Sequence, residues 1–100
     1  MAKAEYEGMA MGLLELSSEA ACFAALDVAS KTAEIKVQAI ERNRVGAGAC
    51  LKIRGELSDV RAAMDAAVAF AKQYAEILTY TIIPRPTEGT EIAMAMTIGK

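Results

Sequence analysis

Hydrophobic positions along this chain switch between two periods, and the switches mark its elements. From Met9 to Leu16, "MAMGLLEL", Met9, Met11 and Leu13 recur at period two, the spacing of a strand. Ser17 or Ser18 then offers an N-cap oxygen, and Glu19 places a negative charge in the first turn of a helix. Cys22, Ala25, Leu26 and Ala29 follow at helical spacing, which predicts a helix to about Lys31 with a buried face of small residues. From Glu34 to Arg42, Ile35, Val37 and Ala39 alternate with Lys36 and Gln38, the pattern of a strand with one covered face. Ala49, Leu51 and Ile53 resume the alternation against Cys50, Lys52 and Arg54, close enough to form a hairpin with the preceding strand.

Gly55 ends that strand. The segment "ELSDVRAAMDAAVAFAKQYAE" then predicts a second amphipathic helix, capped by Ser58 with Asp59 in its first turn and an apolar stripe of Val60, Met64, Ala67, Ala71 and Tyr74. "EILTYTIIPRP" is rich in strand formers and is closed by Pro84 and Pro86, which cannot donate into a continuing ladder. The order is β-α-β-β-α-β. That is the α+β, ferredoxin-like split βαβ arrangement: a four-stranded antiparallel sheet, two helices on one face, and a short C-terminal extension. The other face must be solvated or covered by something else. Ile92, Met94, Met96 and Ile98 alternate in the tail as they would in a strand, and so apolar a segment should cover something.

Composition narrows the chemistry. One hundred residues make one domain with one core. The formal net charge is −2 and the basic residues form no run, which argues against nucleic acid and membrane as partners. There is no histidine, so His-based metal sites, general bases and nucleophile relays are excluded. Two cysteines, Cys22 and Cys50, form neither a disulfide framework nor a CxxC site and fit a reducing cytoplasm. The N-terminal stretch, broken by Glu5, Glu7, Glu15 and Glu19, reads as neither a signal peptide nor a span.

Few motifs remain. "RVGAGAC" lacks the Gly-Lys-Ser/Thr of a phosphate loop and opens into a strand, so a tight hairpin is the simpler reading. Arg42 and Arg44 flank this loop, either as solvated charges paired with Glu41 or Glu56, or as a positive ring if an oligomer repeats the loop around an axis. Cys22 falls on the core face. Cys50 lies opposite and leaves a weak opening for a redox or iron–sulfur role. The carboxylates form no acid–base pair, and the methionines suit gap filling better than metal ligation. No cofactor is indicated.

Four pieces in order resemble a known family: "GLLEL", "AALDVASKTAEI", "IRGELSDVRAAMDAAVAFA" and "IIPRP", together covering Ala10 to Pro86. They are similar to the single-domain shell proteins of bacterial microcompartments, the BMC domain of carboxysomes and metabolosomes. The resemblance implies a non-enzymatic protein located in a cytoplasmic microcompartment shell. Six copies would form a flat tile, tiles would pack with neighbouring hexamers and other shell proteins around encapsulated enzymes, and a pore on the six-fold axis would pass small metabolites. The pore loop would be Asn43, Arg44, Val45, Gly46, Ala47 and Gly48, with Arg42 and Arg44 charging its mouth. The loop is one residue longer than the family's usual one, and Ala47 or Gly46 replaces a serine at the constriction. Lys31 and Arg85 match the family's residues at the edge between hexamers. Residues 1–86 would form the domain, and residues 87–100 a tail packed on it or on a neighbouring subunit.

Two other classes compete. A ferredoxin-like regulatory module binding a small effector at subunit interfaces predicts a dimer or trimer stabilised by ligand. A small enzyme on the same fold has only Cys50 as a foothold.

Overall fold

The computed structural model describes residues 5–43 and 46–98. Strands β1 (Ala10–Leu16), β2 (Lys36–Arg42), β3 (Ala49–Gly55) and β4 (Ile77–Ile83) form one sheet in the order β2-β3-β1-β4, and every neighbouring pair is antiparallel. Helices α1 (Glu19–Thr32) and α2 (Leu57–Ala71) pack together over one face, and a third helix, α3 (Glu88–Thr97), follows β4. This is the expected ferredoxin-like sheet with a helical extension.

The core lies between the sheet and the α1–α2 pair. Gly12, Leu14 and Leu16 of β1 stand opposite Ile53, Leu51 and Ala49 of β3, so all six share the face beneath the helices. Above them, Ala21, Cys22, Ala25 and Ala29 of α1 meet Ala63, Met64, Ala67 and Ala71 of α2 in one cluster. Small side chains let the two helices approach closely. Gly12 is there for a related reason: a Cβ on it would sit 3.0 Å from Ile53 Cγ1 and from Met64 Cγ and Sδ.

Caps and ends account for the boundaries. Ser18 caps α1 as expected, its hydroxyl accepting from the Ala21 N–H at 3.2 Å. The expected cap of α2 is corrected. Val60 N–H donates to the Glu56 carbonyl at 2.9 Å, which makes Glu56 the N-cap and moves Ser58 inside the first turn. Tyr74 also leaves the predicted stripe, because α2 closes at Ala71 in tight i→i−3 turns; the residue is 66% exposed and its ring lies tilted at 38° to that of Phe70, centroids 4.8 Å apart.

One strand reading changes. A bulge between Val37 and Ala39 shifts β2, so Val37 and Ile40 face the helices while Ala39, opposite Lys52, turns away. The tail, whose conformation the alternation alone leaves open, is a helix. Thr87 caps it by accepting from the Thr90 N–H at 3.2 Å, Glu88 and Glu91 sit favourably in the first turn, and Ile92, Met94 and Met96 alternate with Ala93 and Ala95, alanine being a strong helix former.

The far face of the sheet is not simply solvated. Met11 is fully buried there opposite Arg54, and Arg54 and Lys52 of β3 are themselves buried. β3 is therefore covered on both faces for most of its length. Gly12→Val is expected to lower unfolding stability by about 1–3 kcal/mol through overpacking against Ile53 and Met64. Urea denaturation checks this, and an unchanged midpoint would mean that Met64 vacates the space freely.

Candidate functional site

The loop between β2 and β3 is pinned at its base and open at its tip. The Asn43 N–H donates to the Gly48 carbonyl at 2.7 Å, closing the hairpin. The Asn43 side-chain amide reaches Glu15 Oε2 on β1 at 3.4 Å. On the other side, the Glu19 N–H at the start of α1 donates to the Ala47 carbonyl at 3.2 Å, so the loop satisfies a donor that the helix cannot satisfy internally. Gly46 and Ala47 are exposed. Arg44 and Val45, two of the six expected loop residues, lie outside the described residues.

The loop glycines serve different ends. A Cβ on Gly48 would lie 2.4 Å from the Leu16 carbonyl oxygen, a backbone atom that cannot swing aside, so glycine permits the loop to seat against the β1–α1 junction. A Cβ on Gly46 would meet nothing within 4 Å. Neither glycine has positive φ; among the described residues only Gly8 does, at 83°. Close approach at Gly48, not left-handed backbone, is the requirement.

Charge around the loop is partly compensated. Arg42 Nε lies 3.5 Å from Glu19 Oε1, a surface pair, so its partner is neither of the two acids considered from the sequence. Glu41 is taken by the buried Lys52 on the far face of the sheet. Cys50 shares that face with Glu15 and Glu41. Burial pushes its thiol upward; Lys52 pulls against this, and the two carboxylates add to the rise. Cys22 lies on the helical face, donating to the Ala49 carbonyl at 3.3 Å, so the sheet separates the two thiols. Among the described residues, no group of three or more Cys, Asp or Glu side chains converges as a metal site would.

The expected edge residues occupy separate surface positions. Lys31 sits in the last turn of α1, paired with Asp27 one turn earlier at 2.7 Å, beside a shallow depression formed by residues 30–35. Arg85 is exposed in the connection between β4 and α3.

The largest polar feature was not singled out by sequence patterning. Arg54, fully buried, donates to Glu91 of α3, Gln38 of β2 and the carbonyls of Met9 and Ala10, with the Tyr6 ring 4.9 Å from its guanidinium. Its strand is central in the sheet and its tail partner is an acid, and those two facts were the available signal.

Two outcomes test this geometry. Gly48→Ala is expected to cost about 1–3 kcal/mol in chemical denaturation because backbone must move, whereas Gly46→Ala stays within about 0.5 kcal/mol. Burial pushes the Cys22 thiol from 9.0 up to about 11, so the folded chain keeps a proton that the unfolded chain releases. The stability this gives is complete below pH 9.0 and is lost as pH rises to about 11. Denaturation midpoints should fall across that window more steeply in the wild type than in Cys22→Ala, and equal slopes would refute the assignment.

Comparison with known proteins places the chain. The family model described as BMC domain matches residues 10–86. The bacterial microcompartment shell protein EutM of Salmonella typhimurium is 32% identical over 78 residues, covering 77% of this chain and 79% of EutM. The shell protein PduK of the same organism is 31% identical over 83 residues, 83% of this chain and 52% of PduK, so the chain spans about half of that relative. The carboxysome assembly protein CcmO of a Synechococcus species is 31% identical over 86 residues, 85% of this chain and 30% of CcmO. Among solved structures, a microcompartment protein from Desulfitobacterium hafniense DCB superposes with a TM-score of 0.75 at 20% identity, covering 92% of this chain and 49% of that one, which shows the shared fold. By the family match and the EutM relationship, the chain belongs to the BMC-domain family of microcompartment shell proteins.

Proposed function

We propose that the chain is a structural, non-enzymatic building block of a microcompartment shell, assembling as a homohexameric tile whose central opening is built from the loops between β2 and β3. The supporting observation is that loop's construction. It is held at its base by β1 and α1, and among its described tip residues, Gly46 and Ala47, nothing larger than a methyl group projects. At Gly46 and Ala47, six such loops would bring little side-chain bulk to an axis, leaving a passage for small metabolites. Lys31 and Arg85 meet neighbouring tiles, and the exposed Ile92 and Met96 of α3 find cover on an adjacent subunit.

The pore mouth favours anions. Glu19 offsets part of the Arg42 charge, and the charge that remains at the rim is multiplied once the loop is repeated around the axis. In assembled shells, Arg42→Ala with Arg44→Ala should reduce the flux of an anionic substrate relative to a neutral one of similar size. Unchanged flux would remove the charge from the account.

Assembly itself is tested by native mass spectrometry with negative-stain microscopy of the same sample. The tile requires a mass of six chains and sheets or tubes on the grid. A stable monomer, dimer or trimer without sheets would overturn it and favour the effector-binding module.

A further inference from the structure

The guanidinium of Arg54 has five N–H donors, and all five are engaged. Nε donates to the Ala10 carbonyl at 3.3 Å, Nη2 to the Met9 carbonyl at 3.1 Å, and Nη1 to Gln38 Oε1 at 3.0 Å. These three acceptors belong to the entry into β1 and to β2, and the Tyr6 ring lies 4.9 Å from the same group. The two remaining donors, one on each Nη, point together at Glu91: Nη1 donates to Oε1 at 2.7 Å and Nη2 to Oε2. That is the parallel two-bond geometry by which arginine takes a carboxylate.

The host of the fork and the owner of its occupant are joined differently to the fold. Arg54 belongs to the most buried strand. Glu91 is the buried residue of α3, whose Ile92 and Met96 remain exposed, and α3 packs sparsely against the other described elements. The fork's other acceptors all come from outside α3, whereas Glu91 is the buried residue that α3 places in it.

We propose that the Arg54 cradle, built with Gln38, Tyr6 and the Met9 and Ala10 carbonyls, is a carboxylate-binding site that the chain fills with its own Glu91, so that α3 is a displaceable strap and a small free monocarboxylate takes the site when Glu91 is withdrawn. The proposal goes beyond shell assembly and does not depend on it, since every residue belongs to one chain.

The test removes the internal ligand and offers an external one. Glu91→Ala is unfolded thermally in rising sodium acetate, with ionic strength held constant by sodium chloride and acetamide as the neutral analogue. The expected result is a saturable rise in Tm with acetate that acetamide does not produce, and a much smaller response in the wild type, where Glu91 competes. A variant that responds no more to acetate than to chloride, or a wild type that responds equally, overturns the proposal. Should Glu91→Ala fold poorly, recovery of cooperative unfolding on adding acetate is the corresponding positive result, and its absence the negative one. Amide hydrogen exchange of the wild type gives an independent reading. Amides of α3 should exchange at least tenfold faster than those of β3, and exchange of both at one slow rate would show that no strap opens.

Discussion

A positive charge sealed inside the sheet's far face organises much of this molecule. Removing a guanidinium from water is costly unless good hydrogen bonds and an opposite charge replace the water. Arg54 meets that demand by drawing together parts of the chain distant in sequence: the segment entering β1, the bulged strand β2, and Glu91 of α3. The bulge in β2 falls where Gln38 turns toward Arg54.

The same strand ties the covered face to the candidate pore. β3 carries Leu51 and Ile53 into the helical core and Lys52 and Arg54 into the opposite layer, so it is fixed from both sides. The loop that precedes it inherits that rigidity at Gly48, seated against the Leu16 carbonyl, and at Ala47, held by the first turn of α1. In the proposed tile, a loop with an anchored base would give an opening of defined width, and its selectivity would then depend on the charges at the rim. Core packing and the anchoring of this loop are thus two consequences of one central strand.

Much of this was legible in the sequence. Period-two and helical spacings located the four strands and the first two helices, Ser18 announced the start of α1, and four ordered motifs identified the family. The failures have physical causes. Ser58 looks like a cap, but the Glu56 carbonyl already accepts the first helical bond. Alternation in the tail resembled a strand only because alanine was counted as the opposite of methionine. The far face of the sheet was left as either solvated or covered, and Arg54 and Glu91 were missed, because a pattern rule cannot see that a charged position in a central strand needs a partner from elsewhere. In the loop, the sequence reads as a tight hairpin, and at Gly48 what counts is the space left by the missing Cβ.

The claim that Arg54 and Glu91 act as one unit is tested most directly by a double-mutant cycle in chemical denaturation, using Arg54→Met, Glu91→Leu and the double variant. Each single change strands a buried charge and should cost about 3–5 kcal/mol, whereas the double variant should lose less than the two singles together, with a coupling of at least about 2 kcal/mol. Additivity within about 0.5 kcal/mol would contradict the account, leaving Arg54 as one buried residue among many.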